Sequence, residues 1–125
     1  MRHENCVFCK KNNDYVEKFS SVFAVYDSYP VSPGHCLIIP FEHRLDFFDL
    51  NENEKADSLV LLERLKNRLS KEDPSITGFN IGMNCGEDAG QTVFHCHIHL
   101  IPRRKADCKN PKGGVRGVIP NKQSY

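Results

Sequence analysis

Apolar residues and histidines alternate along one short part of the chain, residues 94–101. Side chains of an extended strand point alternately to opposite faces, so a strand here would present three imidazoles on one face and apolar side chains on the other. A helix would turn His97 away from the other two histidines. The pattern therefore predicts a strand with its apolar face in a core. The predicted histidine face is His95, His97 and His99, and the predicted core face is Phe94, Cys96, Ile98 and Leu100.

The hydrophobic pattern elsewhere predicts four further strands, at residues 15–20, 22–26, 35–40 and 79–84. One long helix is predicted between the third and fourth of these strands, because apolar residues follow helical spacing from Ala56 to Leu69. Asn51 is a suitable N-cap, Glu54 is its capping-box partner, and Pro74 stops the helix from continuing. We expect this helix to cover one face of the sheet.

Length and composition indicate a single globular domain, residues 1–125. Hydrophobic residues make up 39% of the chain and charged residues 26%, which is the balance of an ordinary globular protein. The sequence contains no apolar run as long as a membrane span, and its first residues lack the apolar core of a signal peptide. We therefore expect a cytoplasmic protein with no membrane partner.

The net charge of +1 is unevenly distributed along the chain, because residues 103–125 form a basic, glycine-containing C-terminal tail. The tail holds seven cations and one acid, Asp107, which leaves ten cations and fifteen acids in residues 1–102. Such a tail suits a polyanionic ligand such as a phosphate chain, although a solvated and poorly ordered terminus has the same composition. The tail offers no aromatic platform around its cations, so a nucleic-acid partner is not expected.

The six cysteines divide into two kinds. Cys6 and Cys9 form a C-x-x-C pair, whose spacing lets two thiolates converge on one metal ion; a redox pair is the alternative. Cys36 and Cys96 lie in apolar strand patterns and are expected to be small core residues. His35 and His43 flank the strand predicted at residues 35–40, which makes both of them candidate site residues.

The histidine row has two chemical interpretations, a metal-binding trio or a histidine nucleophile, and clustered titratable groups favour either over a packing role. A polar loop with two glycines, residues 85–90, precedes this row and can bring backbone amides close to a ligand. Gln91 and Thr92 follow the loop as possible donors to a phosphate or leaving-group oxygen.

Two motifs resemble those of the histidine triad (HIT) superfamily. Residues 90–101 read Gly-Gln-Thr-Val-Phe-His-Cys-His-Ile-His-Leu-Ile, similar to its signature, and residues 33–40 resemble its third-strand motif. The resemblance implies an α+β fold: a five-stranded antiparallel sheet with one main helix and a short N-terminal helix, dimerising through the sheet and helix. It also implies a small nucleotide as ligand and attack on its α-phosphorus.

The resemblance also implies roles for individual residues. His97 would be the nucleophile, and His99, Gln91 and Thr92 would contact phosphoryl or leaving-group oxygens. His35 would belong to the supporting shell behind the nucleophile. Asp27 would contact the ribose and Asn84 would line the nucleotide site. In a zinc-binding bacterial branch of the superfamily, the ligands of a structural zinc match Cys6, Cys9, His43 and His95.

Different parts of the sequence resemble branches of the superfamily that act on different substrates. Residues 87–93 and 48–50 resemble the dinucleoside polyphosphate hydrolase (Fhit) branch, whereas the C-x-x-C pair and Asp27 resemble bacterial Hit proteins and Hint phosphoramidases. Residues 110–120 resemble bacterial members described as diadenosine tetraphosphate hydrolase-like. We expect dinucleoside polyphosphate hydrolysis by a homodimer. Nucleoside phosphoramidate hydrolysis and a non-catalytic zinc or nucleotide-binding module are the alternatives.

Overall fold

The computed structural model describes residues 5–10 and 15–125, and a five-stranded antiparallel sheet forms its centre. The main elements are α1 (Val7–Lys10), β1 (Glu17–Phe19), β2 (Val22–Tyr26), β3 (Cys36–Pro40), α2 (Glu52–Glu72), β4 (Ile76–Gly82) and β5 (Ile98–Arg104). Short 3-10 helices lie at Phe47–Asp49, Glu87–Ala89 and Gly114–Val118. The strand order β1-β2-β3-β5-β4 makes β1 and β4 the edges, and the α+β fold class expected from the sequence is confirmed.

Helix α2 begins with the predicted capping box. The Asn51 side chain accepts a hydrogen bond from the Glu54 backbone N–H, and the Glu54 carboxylate accepts one from the Asn51 N–H. The helix ends at Glu72, two residues before Pro74, with Asp73 as its C-cap. Its buried leucines pack on one face of the sheet, against apolar side chains of β2, β3 and β5. These leucines are Leu61, Leu65 and Leu69.

The opposite face of the sheet holds a second, smaller core and the histidines. Phe23, Val25, Leu37 and Ile39 of β2 and β3 form this core together with Phe8 of α1. Because Leu37 pairs with His99 in the ladder between β3 and β5, the His99 side chain lies on this face, away from α2. One face of the sheet therefore packs against α2, and the other face carries the smaller core and His99.

The start of the histidine strand differs from the prediction. Strand β5 begins at Ile98, so His95 and His97 precede it, and Phe94 is 46% exposed instead of lying in the core. The reason is a contact from far away in sequence: the Cys96 N–H donates to the Arg44 carbonyl oxygen at 2.6 Å, where a sheet partner was expected. Strand β4 likewise begins at Ile76, three residues before the predicted position.

The two cysteines assigned to the core lie there. Burial raises the pKa of the Cys36 thiol to about 11 and that of the Cys96 thiol to about 12, so both are protonated near neutral pH. In the part of the chain that the structure describes, no helix is both long enough and apolar enough to span a membrane.

Candidate active site and metal centre

Four side chains from three separate parts of the chain converge at α1. The Cys6 Sγ lies 3.4 Å from the His95 Nδ1, and the Cys9 Sγ lies 3.5 Å from that atom and 3.3 Å from the His43 Nδ1. Zinc bonds of about 2.3 Å to sulfur and 2.0–2.1 Å to nitrogen place neighbouring tetrahedral ligands roughly 3.5 Å apart. The cluster therefore has the donor set and the spacing of a closed zinc site.

The surroundings of His95 also fit a metal ligand. His95 is fully buried, and its Nε2–H donates to the Pro40 carbonyl oxygen at 2.9 Å. This hydrogen bond leaves the lone pair on Nδ1, the atom that faces the two thiols. Such a backbone partner fixes the tautomer and the ring orientation of metal-ligating histidines in general.

A cavity of about 440 Å³ opens on the histidine face of the sheet. His97 and His99 line it with their ring centroids 5.4 Å apart. The predicted site residues Asp27, His35, Asn84 and Thr92 line the same cavity. Apolar side chains of α1, β2 and β3 form much of the remaining wall, including Phe8, Val25 and Leu37. The cavity thus combines an apolar region with a cluster of polar groups, as small-molecule sites do.

A backbone hydrogen bond sets the tautomer of His97. Its Nδ1–H donates to the His95 carbonyl oxygen at 2.9 Å, because a carbonyl can only accept. The neutral ring therefore has its lone pair on Nε2. The Phe8 ring packs edge-on against the His97 ring, with centroids 4.8 Å apart. His97 is thus held by one hydrogen bond and by ring contacts with Phe8 and His99, and Nε2 carries its lone pair.

His35 and His99 form a hydrogen-bonded pair beside the nucleophile candidate. The Val31 N–H donates to the His35 Nδ1 at 3.2 Å, so the His35 proton is on Nε2, which donates to the His99 Nδ1 at 2.9 Å. His99 consequently has its proton on Nε2. The supporting contact of His35 is therefore made with His99.

Burial lowers the pKa of His35, an effect partly offset by the Asp27 carboxylate. Burial, His97 and His35 lower the pKa of His99. Both rings are therefore neutral near pH 7. Asp27, His35 and His99 could by distance alone hold a metal. However, the His35 Nε2 that a metal would need carries the proton donated to His99, so His35 and His99 are better described as a hydrogen-bonded pair with the Asp27 Oδ2 3.4 Å from the same nitrogen.

The three histidines that the sequence pattern placed on one face of a strand belong to two different sites in the structure. His95 joins the cysteines, whereas His97 and His99 line the cavity, so the three do not form one metal site in the described residues. Gln91 also differs from the phosphate-contacting position implied by the resemblance, because its side chain is 3% exposed and does not line the cavity. Its amide accepts from the Gly86 N–H and donates to the carbonyls of Leu45 and Val93.

The profile of the HIT domain family matches residues 10–106 of the chain. The chain belongs to the HIT family. A HIT-like protein of Mycoplasma pneumoniae is 35% identical over 109 residues, covering 82% of this chain and 74% of the relative. The asymmetrical bis(5'-nucleosyl)-tetraphosphatase of Schizosaccharomyces pombe is 39% identical over 93 residues, covering 74% of this chain and 50% of that enzyme. The adenosine 5'-monophosphoramidase of Candida albicans is 29% identical, covering 82% of this chain and 72% of that enzyme.

Solved HIT structures share the fold. A HIT family protein from Bacillus anthracis is 37% identical, covers 82% of this chain and 76% of its own, and superposes with a TM-score of 0.76. A zinc-bound histidine triad protein from Mycobacterium smegmatis is 33% identical, covers 82% of this chain and 78% of its own, and has a TM-score of 0.72. These similarities place the sheet, α2 and the histidine segment in a fold that several HIT proteins share.

Two features of this HIT site were missed from sequence. The first is Phe8, whose contact with His97 joins α1 to the cavity; its position between two cysteines was the available signal. The second is the pair formed by Arg44 and Glu54. The Arg44 Nε donates to both Glu54 carboxylate oxygens, at 2.9 and 3.1 Å, while the Arg44 carbonyl accepts from Cys96. The capping-box glutamate therefore also anchors the segment that holds the histidines.

Proposed function

We propose that this chain hydrolyses nucleotides through a covalent nucleotidyl-histidine intermediate, with His97 as the nucleophile. The observation that carries this proposal is the hydrogen bond from the His97 Nδ1–H to the His95 carbonyl oxygen, because it gives the lone pair to Nε2 in a ring that lines the cavity.

The reaction proceeds in two displacements. The His97 Nε2 lone pair forms a bond to the α-phosphorus while the bond to the leaving group breaks, and the leaving group departs with the electron pair. Water then attacks the same phosphorus and releases a proton to solvent. The N–P bond breaks, and its electron pair returns to Nε2. One difficult hydrolysis is thereby divided into two easier steps.

Donors around the cavity stabilise the charge that develops on the phosphoryl oxygens. In the proposal, the His99 Nε2–H and the Thr92 hydroxyl serve as these donors, because both residues line the cavity and His99 keeps its proton on Nε2. Asp27 and Asn84 contact the nucleoside, and the apolar wall accommodates the base. Gln91 acts indirectly, by fixing residues 86–93 to the Leu45 carbonyl.

The preferred substrate in this proposal is a dinucleoside polyphosphate. The similarity to the tetraphosphatase of Schizosaccharomyces pombe supports this substrate. The chemistry also supports it, because the nucleotide that leaves is a stable anion and needs no proton donor. Nucleoside phosphoramidate hydrolysis is the second candidate, which the similarity to the Candida albicans phosphoramidase favours. A side-by-side turnover assay of diadenosine tetraphosphate, diadenosine triphosphate and adenosine phosphoramidate distinguishes the two candidates.

The proposal includes a structural zinc held by Cys6, Cys9, His43 and His95. A closed Cys2His2 set supplies fold stability when zinc is bound, and it leaves His97 and His99 to the nucleotide. A homodimer also belongs to the proposal, since β4 is a seven-residue edge strand to which a second copy could pair. Sedimentation equilibrium that gives only the monomer mass would contradict the dimer.

The histidine nucleophile is tested with His97→Asn and, as a matched control, His99→Asn in the same cavity. We expect His97→Asn to lower turnover by roughly a thousandfold or more and to abolish the nucleotidyl adduct seen by mass spectrometry of the quenched reaction. His99→Asn should slow the reaction but still form the adduct. Binding of AMP should survive in both variants. Substantial turnover by His97→Asn would exclude the covalent route, and AMP binding without turnover by the unmodified protein would favour the non-catalytic binding module.

A further inference from the structure

The folded C-terminal tail carries cations without acidic partners. Arg103 and Arg104 are engaged by Asp107 and Asp73, respectively. Five more cations follow in the chain, and within the described residues none of them forms a salt bridge. They are Lys105, Lys109, Lys112, Arg116 and Lys122. Uncompensated charge of one sign attracts a polyanion and raises its local concentration.

Two of these cations are held together on one aromatic ring. The Lys112 Nζ lies 5.2 Å from the centroid of the Tyr125 ring, and the Arg116 guanidinium carbon lies 4.7 Å from it. Each contact is favourable by itself, yet the two like charges repel each other. An anion bound beside them would remove that repulsion. The pair therefore has the electrostatics of an anion site.

The tail is folded rather than extended, so the cation pair has a defined place. The Gln123 Nε2 donates to the carbonyl oxygens of Asn110 and Lys112, which closes a loop. Gly113 has a φ of 90°, and a Cβ there would collide with the Gln123 carbonyl oxygen. The closed loop thus requires glycine at this position.

This loop lies on the same face of the sheet as the site histidines. A Cβ at Gly114 would approach the Asn80 side-chain amide at 3.4 Å, so the tail packs against β4 at that residue. Asn80 pairs with Ile101, two residues along β5 from His99. Diagonal same-face neighbours of this kind are about 7–8 Å apart. Gly114 of the tail therefore lies against a residue that is a diagonal neighbour of His99, and His99 lines the cavity that holds the proposed scissile phosphate.

We propose that Lys112 and Arg116 bind the phosphates that lie beyond the scissile α-phosphate, and so select dinucleoside polyphosphates over phosphoramidates. The inference rests on the proposed function and deepens it by assigning the specificity. A dinucleoside tetraphosphate has three further phosphates for these cations to contact, whereas AMP and its phosphoramidates have none. The tail adds affinity for the long substrate and takes no part in bond breaking.

Binding to the His97→Ala protein tests this inference, because neither ligand can be consumed there. Isothermal titration compares AMP with diadenosine tetraphosphate, before and after the double change Lys112→Gln and Arg116→Gln. The matched control, Lys66→Gln with Lys71→Gln, removes the same charge from exposed positions of α2, across the sheet. Circular dichroism melting checks that all variants fold.

We expect the tail variant to weaken binding of diadenosine tetraphosphate by roughly tenfold and to leave AMP binding unchanged. The α2 control should leave both affinities near their starting values. Raising the ionic strength should reduce the advantage of the longer ligand over AMP, because the tail cations are exposed. Equal losses of affinity for the two ligands, or no loss for either, would overturn the inference without contradicting nucleotide binding by the cavity. Failure of AMP to bind at all would instead count against the proposed function.

Discussion

At the scale of single residues, backbone groups decide which nitrogen of each site histidine carries the proton. The His95 Nε2–H and the His97 Nδ1–H both donate to carbonyl oxygens, whereas the His35 Nδ1 accepts from the Val31 N–H. These three assignments place the lone pair of His95 on Nδ1, which faces the two thiols, and that of the neutral His97 on Nε2, and they give His35 a proton for His99. Similar histidines thereby acquire different roles through their neighbours.

The neutral His35 predicts a pH dependence of stability. Its folded-state pKa is lowered chiefly by burial, so the unfolded chain binds the proton more readily than the native state. Stability should therefore fall as the pH drops below about 6.5, the unfolded value, and the loss is complete only below the folded pKa. Urea titrations of the wild type and of His35→Gln at several pH values between 8 and 5 measure this. A variant that loses as much stability on acidification as the wild type would contradict the assignment.

At the scale of elements, α2 was predictable because its signals are local. The capping box lies within four residues and the leucine spacing within one helix, so neither depends on remote contacts. The start of β5 depends on the Arg44 carbonyl, which accepts the hydrogen bond from the Cys96 N–H. No local sequence pattern predicts this contact. Contacts remote in sequence also determine that His35 pairs with His99 and that the Gln91 side chain is buried, so neither could be predicted from local patterns. Cavity residues were predictable where a motif contained them, but Phe8 was not, since its contact with His97 spans the chain.

The Arg44–Glu54 pair predicts a large effect from a small change in α2. Glu54 is 1% exposed and accepts from Arg44 as well as from the Asn51 N–H. Glu54→Gln would leave the partly exposed Arg44 guanidinium without its counter-charge. We expect this to cost about 2–4 kcal/mol, less than at a fully buried pair, because the Arg44 side chain is 30% exposed to water. Glu52→Gln is the matched control, because that carboxylate lies in the same turn and is exposed. Its cost should be below about 0.5 kcal/mol, as measured by urea unfolding.

The consequence of that change should extend to the histidine segment. The Arg44 carbonyl accepts a hydrogen bond from the Cys96 N–H, between His95 of the Cys/His cluster and His97 of the cavity. Hydrogen exchange of the Cys96 amide therefore reports whether the pair positions this segment. Faster exchange in Glu54→Gln than in Glu52→Gln, measured under conditions where both remain folded, is the expected result. Equal exchange would mean that Glu54 stabilises α2 without holding the site.

At the scale of the whole molecule, the cluster of Cys6, Cys9, His43 and His95 joins parts that the sheet alone does not connect. It links the N-terminal segment with α1, the segment after β3 and the segment before β5. Phe8 lies between the two cysteines of the cluster and contacts His97. Without metal, α1 would be held mainly by the Phe8 contacts and the small core around it. We therefore regard the proposed zinc as the element that couples the N-terminal segment to the cavity wall.

Removal of the metal should weaken the fold and the nucleotide site together. We expect one zinc per chain in purified, untagged protein, and Cys6→Ala should both lose that zinc and lower the melting temperature by several degrees or more. Cys108→Ala is the control, since Cys108 is an exposed thiol outside the cluster. AMP affinity should fall in Cys6→Ala and stay constant in Cys108→Ala, because only the first variant releases α1 from beside His97. Zinc-free protein with an unchanged melting temperature in Cys6→Ala would reject the metal. A loss of zinc that left AMP affinity intact would show instead that α1 keeps its place through Phe8.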